Sequence, residues 1–226
     1  MAPMKFYYYP ASPPCRGTLL TIRYLNLDVE LINVDLRQKE QLKDDFLKVN
    51  PVHMVPTLDD NGFVLWESKA ISQYLVNAKS PGHSLYPSDP KKRAIVDARM
   101  YLDAYIQGTL RIIFFGIHTQ LLKTISKTTK TRLYQLLENL NTVLEGQQYA
   151  AGSEVSLADL ALLSTISTLM VTGGNLSNFK NIVAWLKRCE NFPGYKENDD
   201  VAKQYGDFLK NLLGITGTWD DVPEHE

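Results

Sequence analysis

Few stretches of this chain hold side chains able to act on a small polar ligand. Ser12 lies in Ala11-Ser-Pro-Pro-Cys-Arg16, between a β-prone aromatic run and an apolar helical stretch. A hydroxyl at such a junction can donate to an anion held over the helix N-terminus, where free N–H groups and the helix dipole favour negative charge. The same hydroxyl can serve as a cap or turn residue, and Ser12 alone does not separate the two readings. No histidine stands near it in sequence, so Ser12 is not read as a nucleophile paired with a base. Glu67-Ser68 stands where a strand passes into a helix, which makes Ser68 the expected N-cap, and the dipeptide alone reads equally as an anion site or as an ordinary cap. His53 and Pro56 share the loop HMVPTL. A cis Val55–Pro56 bond would turn the Val55 backbone toward a ligand, a trans one would be a strand-edge device, and composition does not decide. Cys15 and Cys189 are far apart, with no C-x-x-C spacing and no histidine cluster, which argues against a disulfide scaffold or structural zinc.

Those residues need elements to position them. Lys5–Tyr9 reads as a strand stopped by Pro10, Cys15–Leu25 as a helix, Glu30–Asp35 as a second strand and Gln38–Val49 as a further helix. Two short apolar runs, from Val55 and over Phe63–Trp66, flank Asp59-Asp60-Asn61-Gly62, and Asn-Gly between such runs signals a hairpin. Ser68–Val76 returns to helical spacing. The order β-α-β-α-β-β-α predicts an α/β layer over residues 1–80. Residues 81–90, rich in proline, read as a linker, and residues 91–226 as an all-helical domain. Its helices are expected at Lys91–Phe115, Thr131–Glu145, Ser156–Val171, Val183–Glu190 and Val201–Leu213. Ser156–Val171 is apolar on nearly every side and should be a buried central helix. Ser156 and Asp159 form a capping box at its start, flanked by Val155 and Leu160 at the staple positions. The acidic tail TGTWDDVPEHE is expected to fray.

Composition narrows the partners. The 226 residues are 44 % hydrophobic and 22 % charged, which excludes a disordered chain. Lys plus Arg total 24 against 25 Asp plus Glu, a net charge of −1, so there is no basic footprint for nucleic acid or anionic lipid. The opening MAPMKFYYYP lacks the apolar run of a secretory signal, and Leu157–Val171 is too short and too interrupted to span a bilayer. Two unpaired thiols suit a reducing compartment, and a cytoplasmic location is expected.

Four segments in this order, FYYYPASPPCRGTLL, FLKVNPVHMVPTLDDNGFVLWESKAI, SLYPSDPKKRAIVDARMYLD and LEGQQYAAGSEVSLADLAL, resemble the cytosolic glutathione transferases, and most closely the insect delta class. The resemblance runs from about Lys5 to Leu209. It implies a thioredoxin-like N-terminal domain, an all-α C-terminal domain and a homodimer. It implies glutathione as co-substrate, with no prosthetic group and no metal. The partners would be small hydrophobic electrophiles, with no nucleic acid and no membrane. Ser12 matches the catalytic serine, whose hydroxyl would stabilise the glutathione thiolate. Met54 and Val55 would offer the cysteinyl moiety their backbone, Glu67 and Ser68 would hold the γ-glutamyl end, and His53 and Gln41 would lie near the glycyl end. Lys69 belongs to the same ligand set. Tyr105, Ile112, Phe114, Phe115, His118, Tyr205 and Phe208 would line the electrophile site. Two departures stand out: Gln41 replaces a common histidine, and Lys69 replaces an arginine that could make a bidentate fork. In the family pattern Lys69 and Asp103 approach the subunit boundary, where they would be either a pair bridging the two chains or two solvated surface charges; Arg16 would place the helix or the ligand, or lie on the surface. Cys15 would be a packing residue. The implied activity is conjugation of glutathione to xenobiotic electrophiles, with peroxidase or dehydrochlorinase side activities. The alternatives are a non-catalytic carrier of apolar ligands, a thiol transferase using Cys15, and a structural dimer with no glutathione site.

Overall fold

The computed structural model describes residues 3–120 and 123–226, with the backbone alone at 118–120. The first half is built on a four-stranded sheet in the order β2-β1-β3-β4. Strand β1 (Met4–Tyr8) runs parallel to β2 (Val29–Asn33), and the crossover between them is helix α1 (Pro13–Tyr24). Strand β3 (Thr57–Asp60) is antiparallel to β1 and to β4 (Phe63–Trp66). The β3–β4 turn has the expected chemistry: Asn61 at φ 55° and Gly62 at φ 94° supply the two positive values that a tight hairpin needs. Helix α3 (Ser68–Lys79) follows β4. Phe6, Ile22, Leu58, Ile71 and Leu75 are fully enclosed and hold α1 and α3 onto the sheet. This is the thioredoxin-like half that the resemblance implies.

Residues 80–89 lead to α4 (Pro90–Gln120), and then come α5 (Lys127–Val143), α6 (Leu157–Val171), α7 (Lys180–Cys189) and α8 (Tyr195–Leu213). As expected, α6 is buried along almost its whole length, with Leu160, Leu163, Ile166 and Leu169 at the centre of the larger core. Its capping box is formed, with the Ser156 amide and hydroxyl both donating to Asp159 Oδ2, at 2.9 and 2.8 Å. Helix α1 packs directly on α6. Gly17 allows the close approach, since a Cβ there would lie 3.0 Å from Ser164 Oγ and 3.3 Å from Ala161 Cα.

Three expectations give way. The stretch 38–49 is not one helix. Lys39 adopts φ 54°, a left-handed value that ends one 3-10 turn (Leu36–Gln38) and starts another (Glu40–Leu42) before the short α2 (Asp44–Val49). Asp35 and Glu40 stabilise this break, because Asp35 Oδ1 accepts from the Arg37 amide and Glu40 Oε2 from the Asp35 amide, both at 2.9 Å. Helix α8 begins six residues before Val201, straight after Gly194, through a polar stretch with Lys196–Asp200 and Lys203–Asp199 pairs at 2.6 Å. The tail does not fray. Trp219 is 1 % exposed and its indole N–H donates to the Thr172 carbonyl at 2.7 Å, while Glu224–His225 pairs with Ile125–Ser126. Burying a large aromatic with its polar handle satisfied outweighs the acidic composition around it.

Candidate functional site

The site grows from the junction of β1 and α1. Tyr9 and Ser12 close a tight turn, the Ser12 amide donating to the Tyr9 carbonyl at 3.0 Å. Pro13 then occupies the first turn of α1, where a missing N–H costs nothing. Ser12 holds the N-cap position with extended dihedrals, φ −75° and ψ 118°, but its hydroxyl makes no capping bond. That hydroxyl instead approaches the Cys15 thiol, which also accepts from the Tyr9 amide at 3.4 Å. Burial pushes the Cys15 thiol up to about 11, against the smaller opposing pull of these hydrogen bonds. A fully buried, protonated thiol packs well and makes a poor nucleophile.

Arg16 is not a surface residue. It is 2 % exposed and ties three elements together one turn into α1. Its guanidinium donates to the Ala11 carbonyl at 3.1 Å, the Ser164 carbonyl at 3.0 Å, the Thr168 hydroxyl, and Asn198 Oδ1 of α8 at 3.0 Å. Burial lowers its pKa to about 10, which leaves it charged at neutral pH. Arg16 therefore fixes the start of α1, and Ser12 with it, against α6 and α8.

The loop before β3 is arranged by Asn50, which the sequence reading left without a role. Asn50 is fully buried, and its amide donates to the Met54 carbonyl at 3.2 Å and to Thr57 Oγ1 at 2.9 Å, while its oxygen accepts from the Val52 amide at 3.0 Å. This cage shapes the exposed His53, at φ 50°, and leads into a cis Val55–Pro56 bond. At the next junction Glu67, not Ser68, is the N-cap of α3. Glu67 sits at φ 74°, a strained value for a carboxylate side chain, and Ser68 is the first helical residue. Such strain gathers at ligand clamps, and here it sets an exposed carboxylate beside a helix N-terminus. The Ser68 carbonyl accepts from Thr18 Oγ1 at 3.2 Å, which locks α3 to α1. Gln41 lies in the second 3-10 turn, with its Oε1 buried and without a partner among the described residues.

Lys69 and Asp103 meet within one chain, which corrects the expected bridge between subunits. Lys69 Nζ lies 2.8 Å from Asp103 Oδ2 in a charge contact that falls outside hydrogen-bond geometry, and Asp103 Oδ1 has no partner among the described residues. Asp103 is fully buried on α4, so the pair fastens α3 to the helical half from inside. It borders a small pocket lined also by Thr18, Ser68, Ser72, Gln107 and Ser164.

On the helical side, the residues expected to line an electrophile site divide. Tyr105, Ile112 and Phe115 share one face of α4 and are 58, 63 and 58 % exposed. Phe114 lies on the opposite face, 8 % exposed, with edge contacts to Tyr205 and Trp219, so it supports the site from within the core. Tyr205 and the more exposed Phe208 stack on α8 at 6.5 Å. The His118 side chain lies outside the described residues. Tyr9 stands three residues before Ser12, at the other end of the same hydrogen-bonded turn.

Residues 6–83 match the family model described as Glutathione S-transferase, N-terminal domain, and residues 108–193 match Glutathione S-transferase, C-terminal domain. Glutathione S-transferase D7 of Anopheles gambiae is 38 % identical over 204 residues, covering 88 % of this chain and 92 % of that protein. A delta-class glutathione transferase of Nilaparvata lugens superposes with a TM-score of 0.88 at 38 % identity, covering 93 % of this chain and 100 % of that one. A glutathione transferase homolog from Drosophila mojavensis, solved with bound glutathione, superposes with a TM-score of 0.88 at 33 % identity over 94 % of this chain and 98 % of that one. Among the described residues no helix is long and apolar enough to cross a membrane, and no cluster of His, Cys, Asp and Glu could hold a metal.

Proposed function

The chain belongs to the glutathione S-transferase family, and from that premise we propose that Ser12 ionises glutathione for attack on an apolar electrophile. The enzyme is a glutathione S-transferase with glutathione as co-substrate. The reading of its site rests first on one observation: Ser12 stands at the N-terminus of α1 with its hydroxyl uncommitted to capping. That hydroxyl would donate to the glutathione sulfur, and the positive end of α1 would favour the thiolate over the thiol. Val55, with Met54 beside it, offers its backbone to the cysteinyl moiety. Glu67 takes the γ-glutamyl ammonium and Ser68, at the start of α3, takes its carboxylate. His53 and Gln41 lie toward the glycyl end, where Gln41 supplies a neutral contact. Lys69 acts through its buried ion pair with Asp103, which holds the start of α3 in place.

The exposed face of Tyr105, Ile112 and Phe115, together with the exposed Phe208 of α8, receives the electrophile. Exposed apolar surface of this kind marks a binding site. The product is a thioether, with the leaving group or an added proton completing the reaction. Xenobiotic electrophiles are the substrates, in the cytoplasm. A homodimer would cover Phe63 and Trp66 on β4, which forms one edge of the sheet and leaves them 50 and 38 % exposed. Sedimentation as a monomer at micromolar concentration would remove that assembly.

Retention on immobilised glutathione and conjugation of 1-chloro-2,4-dinitrobenzene test the site as a whole. In Ser12→Ala the pKa of bound glutathione, read from thiolate absorbance, should rise by about one to two units, worth roughly 1.4–2.8 kcal/mol. kcat/KM at neutral pH should fall with it while glutathione is still retained. An unchanged thiolate pKa in the variant would refute the role of Ser12.

A further inference from the structure

We propose that the buried Cys15 is a positioning residue for Ser12: its S–H donates to the Ser12 oxygen and leaves the Ser12 O–H aimed outward at the glutathione sulfur. The inference rests on Ser12 being where that sulfur sits.

Tyr9, Ser12 and Cys15 form one closed turn. The Ser12 amide donates to the Tyr9 carbonyl at 3.0 Å, and the Tyr9 amide donates back to Cys15 Sγ at 3.4 Å. The Ser12 carbonyl accepts from the Arg16 amide at 3.1 Å, and the Arg16 side chain is anchored on α6 and α8. The turn is therefore held from both sides. Within it the Ser12 hydroxyl lies in hydrogen-bonding contact with the Cys15 thiol and makes no capping bond to α1. Pro13 and Pro14 have no N–H, so the helix start lacks two of the amides that would otherwise face an anion. Directional donation at this end falls largely on the Ser12 hydroxyl.

Cys15 is fully enclosed and Ser12 half-buried, so their contact runs from the core to the surface. Burial keeps the thiol protonated, and a thiol has one proton to give and a sulfur that accepts. The sulfur takes the Tyr9 amide, which turns the S–H away from Tyr9. A thiolate is a charged acceptor and a thiol sulfur a weak one. With glutathione bound, the Ser12 proton therefore points to the thiolate, and the Cys15 S–H turns to the Ser12 oxygen behind it. The chain runs from the Tyr9 N–H to the Cys15 sulfur, from the Cys15 S–H to the Ser12 oxygen, and from the Ser12 O–H to the thiolate. Each donor polarises the next, which strengthens the last bond, the one on the reacting sulfur. Cys15 gives up no proton and forms no covalent bond.

Cys15→Ala removes the S–H, and Cys15→Ser puts a donor back. In Cys15→Ala the thiolate pKa of bound glutathione should rise by about 0.3 to 1 unit, and kcat/KM below that pKa should fall by about two- to tenfold, with KM for glutathione little changed. Cys15→Ser should stay within about twofold of the unmodified enzyme. In a Ser12→Ala background, adding Cys15→Ala should move the pKa no further. Binding of glutathione sulfonate, an anion without a thiol, should shift the infrared S–H stretch of Cys15 to lower frequency in the unmodified enzyme but not in Ser12→Ala. The other buried thiol, Cys189, serves as a fixed reference. That measurement needs no change at Cys15 and carries the test if Cys15→Ala fails to fold. Equal losses in Cys15→Ala and Cys15→Ser, a further pKa rise in the double variant, or an S–H band that does not move would each overturn the proposal. So would a pKa that responds to Ser12→Ala and not to Cys15→Ala, and this result would leave the Ser12 reading standing. A pKa that responds to neither would bring down both.

Discussion

Asp159→Ala removes the acceptor at the centre of the helical half. Asp159 Oδ1 accepts from the Ala150 amide at 2.7 Å and the Trp185 indole at 2.9 Å, and Oδ2 accepts from the Ser156 amide and hydroxyl. Ala150, Ser156, Asp159 and Trp185 are all buried, so no water can replace a lost bond without the core opening. The hydroxyl can rotate to a new acceptor, but three N–H donors cannot. At roughly 1–3 kcal/mol for each of the three stranded donors, the loss is about 3–9 kcal/mol. A typical fold is stable by only about 5–15 kcal/mol, so this is a large share of the total. With a urea dependence of about 1–3 kcal/mol per M, the unfolding midpoint should fall by at least about 1 M at unchanged slope. Far-UV circular dichroism should follow the transition, because Trp185 fluorescence reports on the mutated site itself. Asp159→Asn keeps one oxygen for Ala150 and Trp185 but turns an NH2 toward the Ser156 amide, so its loss should be smaller. Burial pushes the Asp159 carboxyl above its ordinary value. The folded chain thus binds that proton more tightly than the unfolded chain, and the carboxyl's contribution to stability is greatest below the unfolded pKa of about 3.9. It declines as pH rises from there through the folded value. The stability gap between the unmodified chain and Asp159→Asn should therefore narrow with rising pH over that window. A midpoint shift under about 0.3 M for Asp159→Ala, or a gap that widens with pH, would refute the reasoning.

Glu67→Ala and Ser68→Ala should each raise KM for glutathione several-fold with little change in kcat, because both remove binding felt equally by substrate and transition state. Steady-state kinetics in which kcat falls at constant KM would place the ligand elsewhere. Lys69→Met should cost about 3–5 kcal/mol by leaving the buried Asp103 without its charge partner. The double change Lys69→Met, Asp103→Leu should recover most of that loss in urea unfolding, and a double variant as unstable as the sum of the singles would dismiss the coupling.

Much of this architecture was legible because its signals are local. Asn61-Gly62 requires two positive φ values and produces them. The α6 run has no polar face to offer water, and its Ser156–Asp159 box needs only residues three apart. The segments that escaped are those where a particular side-chain contact overrides composition. Residues 38–49 have helical composition, but the side chains of Asp35 and Glu40 bond backbone amides and favour a broken path. The tail looks soluble residue by residue, yet the Trp219 indole finds a closed slot beside Thr172 and Phe114.

The same distinction holds within the site, and it bears on why the site is built across two halves. Ser12, Glu67 and Ser68 stand at ends of strands and helices, so their positions can be read from the breaks in the hydrophobic pattern. Arg16, Asn50 and Asn198 cannot be read in this way, because nothing in their neighbourhood says that they are buried. Asn50 is caged by Val52, Met54 and Thr57 just after it, whereas Arg16 and Asn198 meet across most of the chain. Each of these polar groups is stable inside the fold only because its donors and acceptors are met there. That requirement ties α1 to α6 and α8 in a single geometry, and a shift of α8 would leave the buried Arg16 Nε without its Asn198 acceptor. The position of Ser12 over the sheet and that of Tyr205 on α8 are therefore set by one network. The polar links joining the halves make the separation of the β1–α1 junction from α8 a fixed property of the fold.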